Sequence, residues 1–147
     1  MYDLTIDVSG EPASQGSHSV INGRIVQVNS SKHKKWRNAV VFAALDLIGE
    51  DWTPIDEPVE LSVIFYLPKP KTVVRELPSV MPDLDKLVRA VGDSLTNAGI
   101  IIDDSRIITI TAHKLYADDR GPGAVIRVNT LPTAQKAVYS RFTAPNL

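Results

Sequence analysis

No cysteine occurs among the 147 residues, so disulfides, thiolate metal sites and cysteine nucleophiles are excluded, in keeping with a reducing cytosol. Histidine is scarce, and His18, His33 and His113 lie too far apart for a zinc motif. No apolar run reaches membrane-spanning length, and the opening MYDLTIDV lacks the basic and apolar regions of a signal peptide. There is no internal repeat and no low-complexity segment. Net charge is also small, at -1, so any affinity for nucleic acid must come from a local basic surface. What remains is a chain with 44% hydrophobic residues, enough for one ordinary core.

The most informative stretch is Met81 to Ile107. Leu84, Leu87, Val88, Val91 and Leu95 recur at helical spacing and define one buried stripe. Pro82 and Asp83 read as the helix start, with the Asp83 carboxylate capping free N–H groups. Asp85, Arg89 and Asp93 are spaced four apart and so share another face. Asn97 and Gly99 end the helix, Gly99 as a left-handed cap. Ile100, Ile101 and Ile102 then carry Asp103 and Asp104 back towards the first turn, where four carboxylates would meet. Each acid taken singly is equally a cap, a surface ion-pair partner or a turn residue. Taken jointly they repel, which favours a bound cation.

A second signal is positive charge. Arg24 to Arg37 contains no acid but holds Arg24, Lys32, Lys34, Lys35 and Arg37. Asn22-Gly23 predicts a hairpin within Ser19 to Val28, and Ser30 or Ser31 caps a helix whose buried stripe is Trp36, Val40, Val41, Ala44, Leu47 and Ile48. Basic residues in a first helical turn oppose the usual dipole preference, and phosphate binding would account for them as well as a solvated face does. Lys69, Lys71 and Arg75 lie in a Pro-rich loop leading into the aspartate helix, either beside the same phosphate or as a plain surface connection. Gly49 to Pro58 is an acidic linker with Trp52 folded onto the core.

Strands are expected at Tyr2 to Val8, Val59 to Leu67 (the central one), Arg106 to Tyr116 with Ile108, Ile110 and Ala112 facing one way, and Ala124 to Asn129 antiparallel to it. Ala134 to Arg141 suits a short helix in a tail of unclear purpose, and His113 is expected to be packed or solvated. Elements interleave without a βαβ repeat, so the fold class is α+β, a single domain with a mixed or mostly antiparallel sheet and two main helices.

The run Met81-Pro82-Asp83-Leu84-Asp85, with Arg89, Asp93-Ser94-Leu95 and Ile102-Asp103-Asp104-Ser105, resembles the signature of RusA-type Holliday junction resolvases. Gly10-Glu11-Pro12, the Arg24 to Trp36 stretch and Pro68-Lys69-Pro70-Lys71 are similar to weaker segments of that family. The resemblance covers residues 1–129, read as the nuclease domain, and leaves 130–147 as a tail. Lys86 stands where the family usually has asparagine, and Arg89 where it has its catalytic lysine. The resemblance implies that Asp83, Asp85 and Asp104 bind Mg²⁺ (or Mn²⁺), with Asp103 a ligand or its neighbour, and that Arg89 stabilises the transition state by charge. Arginine cannot shuttle a proton, so a lysine role in proton transfer would be lost here. It implies a homodimer nicking a four-way DNA junction symmetrically in the cytoplasm of a bacterial host, in a phage or prophage setting. Arg24, Lys32, Lys34, Lys35, Arg37, Lys69, Lys71, Arg75 and Lys86 would hold the DNA. A junction-binding protein of the same fold with weak turnover, a different DxD enzyme and a structural protein are the alternatives.

Overall fold

In the computed structural model, residues 1–15, 18–27 and 30–143 are described; for 18–21, 25–27 and 30 the description is of the backbone alone. Val28 of the expected hairpin and Pro145 of the tail lie outside the described residues.

A four-stranded mixed sheet forms the frame, with β1 (Asp3–Ser9), β4 (Val59–Leu67), β5 (Ile107–Tyr116) and β6 (Gly123–Thr130) in the order β1-β6-β4-β5. β4 is interior, as its alternation predicts: Val59, Leu61, Val63, Phe65 and Leu67 are all buried. The expected antiparallel direction of β6 relative to β5 holds, but the two strands do not pair. β6 runs antiparallel to β4 and β1, and β5 pairs in parallel with β4, so β5 and β6 are not neighbours. Pairing on both sides gives the nine-residue apolar β4 partners for its backbone groups along both edges. β5 is left as an edge strand. Ile110 and Ala112 stand opposite Leu61 and Val63, but Ile108, at an irregularity of the ladder, and Ile110 are each about half exposed.

A two-stranded hairpin, β2 (His18–Ile21) and β3 (Arg24–Gln27), turns through Asn22 and Gly23, both with positive φ. That conformation is the one the Asn-Gly pair favours. Helix α1 (Ser30–Leu47) already contains Ser30 and Ser31, so neither is its cap; position 29 lies outside the described residues. Trp36, Val40 and Ala44 are buried and Val41 and Ile48 partly so, whereas Leu47, the last helical residue, is exposed. Helix α2 (Leu84–Asn97) packs against α1 and buries Leu87, Val91 and Leu95, with Leu84 and Val88 partly covered. In the linker, Trp52 donates from Nε1 to the Gly99 carbonyl at 3.1 Å and meets Tyr2 edge to face. Helix α3 (Gln135–Phe142) falls where a short helix was expected, and its Arg141 pairs at 2.7 Å with Glu60, an acid buried within β4. Among the described residues no helix is long and apolar enough to cross a membrane.

Candidate active site

The acidic residues are delivered by α2 and by the chain that follows it. At the end of α2, Gly99 adopts φ +74 while its N–H donates to the Thr96 carbonyl and that of Ile100 to the Leu95 carbonyl. Those two bonds close a Schellman cap and reverse the chain. Ile100 and Ile101 are buried, and this segment exchanges backbone bonds of 3.0 Å with Ile55. Asp103 then caps a single 3-10 turn (Asp104–Arg106), its carboxylate accepting from the Ser105 N–H at 2.9 Å. The Ser105 side chain and backbone together hold the Asp103 carboxyl below the ordinary carboxylate range, so it is anionic at neutral pH.

Asp104 does not come back to the first turn of α2. A Cβ built on Gly92 would stand 3.7 Å from the Cβ of Asp104, which places the acid turn beside the middle of the helix. The reason is chain length. Fourteen helical residues rise by roughly 21 Å, while three extended residues cover only about 10 Å. Asp85 therefore lies about 10 Å down the helix axis from the level of Asp104, being seven residues before Gly92. The expected convergence of four carboxylates is corrected accordingly: among the described residues no three His, Asp or Glu side chains stand close enough to hold one metal ion.

A different set comes together. Arg37 of α1, Asp93, Thr96 and Asn97 of α2, and Asp103 and Asp104 line one pocket of about 260 Å³. Asp85, Arg89 and Asp93 follow one another at four-residue steps, so a single stripe of α2 runs from its first turn into this pocket. Asp85 and Arg89, neighbours on that stripe, form no ion pair with each other. Neither of them, nor Arg37, Asp93 or Asp104, is in an ion pair among the described residues. Asp83 occupies the cap position of α2 but its side chain makes no cap bond; it lies 3.6 Å from Lys86 instead. Pro82 directly precedes that cap, as expected. Neighbouring the pocket, His33 of α1 is partly buried, which lowers its pKa below 6.5, with Arg37 lowering it further and Asp93 opposing.

The basic residues fall into three groups. Lys32 lies 3.8 Å from Glu11 and, with Lys35, lines a hollow beside Gly10 and Trp36. Arg24 at the hairpin and Lys34 on α1 are exposed, whereas Arg37 turns to the acidic pocket. In the loop between β4 and α2, Lys71 is exposed, Arg75 donates to the Tyr116 hydroxyl at 3.2 Å, and Lys69 lies 5.6 Å from the centre of the Tyr116 ring. Lys114 donates from Nζ to the Val80 carbonyl at 2.7 Å and to that of Pro82 at 3.0 Å. Sequence reasoning passed over Lys114 and Tyr116. The available signal was their placement at alternate positions of β5, opposite the buried Phe65 and Leu67.

An α+β domain with uncompensated carboxylates on one helix stripe, and cations on the elements around it, has the makings of a phosphate-handling enzyme. The sequence model of the Endodeoxyribonuclease RusA family matches residues 9–129, most of the chain, and the protein belongs to that family. Its members are endodeoxyribonucleases that resolve Holliday junctions, act on branched DNA and generally depend on divalent metal. Comparison with curated proteins finds no match.

The donor set suits such a metal in kind. All the acids offer hard oxygen ligands, and Mg²⁺ is commonly held by one or two carboxylates together with substrate phosphate oxygens rather than by a closed protein cage.

Proposed function

We propose that this chain is a Mg²⁺-dependent endonuclease that cuts four-way DNA junctions by paired, symmetric nicks, as a homodimer with one site per subunit. The observation that carries it is the stripe of Asp85, Arg89 and Asp93 on α2, free of ion pairs among the described residues, in a chain that belongs to the RusA family. Asp83 and Asp85 would hold one ion together with substrate phosphate oxygens. Asp104 with Asp103, about 10 Å further along the helix, would offer a second position rather than complete the first. Mg²⁺, when bound, supplies a water of lowered pKa and neutralises phosphate charge.

The remaining work belongs to the chain. Arg89, free of any partner acid among the described residues, presents five donors to the non-bridging oxygens and stabilises charge developing there. Arg37 approaches from the opposite helix and offsets the charge of Asp93, Asp103 and Asp104 in the shared pocket. Arg24, Lys34, Lys35 and Lys71 hold duplex phosphates outside the cutting site, aided by Lys32, Lys69, Arg75 and Lys86. A two-fold junction matches a two-fold enzyme.

The separation between the Asp85 and Asp104 levels favours one further reading, a junction-binding protein of the same fold with weak turnover. A single experiment separates the two. Wild type, Asp85→Asn and Asp104→Asn are incubated with a labelled four-way junction and with linear duplex, with and without Mg²⁺. Junction-selective nicking by wild type alone, with binding kept in the variants, supports the nuclease. Tight binding with no cutting in Mg²⁺ or Mn²⁺ supports the weak-turnover protein. If Arg89 acts by charge, Arg89→Lys keeps or raises the rate, and a tenfold loss, about 1.4 kcal/mol of barrier, shows that the guanidinium fork is needed.

A further inference from the structure

The loop joining β4 to α2 carries three cations and ends at Asp83, and two side chains of β5 reach across to hold it. Along its first half, Tyr116 lies under Lys69 near the start and accepts from Arg75 at the middle. At its end, the Lys114 ammonium bridges the carbonyls of Val80 and Pro82, the second of which belongs to the peptide unit that contains the Asp83 nitrogen. Both residues sit on the sheet face that packs against the helices, and β5 itself begins one residue after the Asp104–Arg106 turn. One strand therefore follows directly from the second aspartate pair and grips the loop that supplies the first.

We propose that Lys114 and Tyr116 are positioning residues that divide the loop between two tasks, Lys114 setting the entry of Asp83 and Asp85 into the site and Tyr116 setting the phosphate-holding cations. The assignment rests on the nuclease reading above. Lys114 has two of its three hydrogens engaged by carbonyls at 2.7 and 3.0 Å, which fits holding rather than proton transfer. Charge-assisted bonds to neutral carbonyls are stronger than ordinary ones, so a bridged ammonium fixes two backbone points at once. Tyr116 acts on side chains rather than backbone. Its hydroxyl orients the Arg75 guanidinium and its ring attracts the Lys69 ammonium, leaving both heads near the surface where DNA phosphates would arrive.

The test compares Lys114→Met, Lys114→Arg and Tyr116→Phe in the full chain. Amide hydrogen exchange across 80–87, which includes the first helical bond from the Leu87 N–H to the Asp83 carbonyl, reads the Lys114 clamp without any need for catalysis. Lys114→Met should speed exchange there by about tenfold, lower kcat on the junction by at least about tenfold and raise the half-saturating Mg²⁺, with KM changed less than about threefold. Lys114→Arg, which keeps donors on a long stem, should recover most of both readouts. Tyr116→Phe should leave exchange at 80–87 and kcat near wild type but weaken junction binding severalfold and flatten its salt dependence. Wild-type exchange and kcat in Lys114→Met overturn the proposal, as does equal loss of kcat in Tyr116→Phe. Absence of cutting by wild type overturns the nuclease reading instead, and the exchange rates then decide for or against the clamp by themselves.

Discussion

Asp104 lies against Gly92, so the acid turn meets α2 at a residue that has no side chain. A Cβ added there would stand 3.7 Å from Asp104 and 3.8 Å from Ile107 Cδ1, ordinary contact distances. Gly92→Ala should therefore fold normally and gain up to about 1 kcal/mol from helix propensity. Gly92→Leu cannot fit without moving the turn, and should lose roughly 1–3 kcal/mol and most of the nicking rate. Urea denaturation and junction cleavage measure both effects.

Asp83 supplies a second test, because it occupies a cap position without capping. Its contact with Lys86 is between two largely exposed side chains and adds little. Asp83→Ala should change stability by less than about 0.5 kcal/mol, against the ~1 kcal/mol lost on removing a true cap. A larger loss by denaturation would show that the carboxylate serves the helix rather than the site.

Glu60 and Arg141 tie the C-terminal helix to the sheet. Glu60 is nearly buried and receives Arg141 at 2.7 Å and Asn129 at 3.2 Å. Arg141→Ala should cost about 1–2 kcal/mol, less than a fully buried pair because the guanidinium is half exposed and Asn129 remains. Glu60→Gln should reduce that cost, and a double-mutant cycle measures the coupling.

His33 gives a pH signature. Burial lowers its pKa in the folded chain below 6.5, with Arg37 acting in the same sense and the Ala13 backbone and Asp93 against it. Below 6.5 the unfolded chain thus binds more protons than the folded one. The His33 contribution is complete above pH 6.5 and is lost as pH falls from there through the lower folded value. The slope from this one group stays under about 1.4 kcal/mol per pH unit. Urea midpoints between pH 7.5 and 5 should fall less steeply in His33→Gln than in wild type.

Local pattern made much of this molecule legible before its structure. The strict alternation of β4, the Asn22-Gly23 turn, the Leu87, Val91 and Leu95 stripe and the Gly99 cap each depend on neighbours a few residues away, so short-range sterics and hydropathy decide them. The carboxylates and the cations were visible as types for the same reason.

Their mutual placement was not. How far three isoleucines can travel back along a fourteen-residue helix fixes the level of Asp104, and that depends on Ile55 holding the return segment. Whether β5 pairs with β4 or β6 depends on which edge of β4 is open, a property of the assembled sheet. The β4–β5 pairing carries Lys114 and Tyr116 to the loop before Asp83, and the β4–β6 pairing sets Glu60 at the end of the sheet that Arg141 reaches. Residue chemistry and short-range period were written in the chain, whereas distances between sequence-remote charges exist only once the strands have chosen their partners.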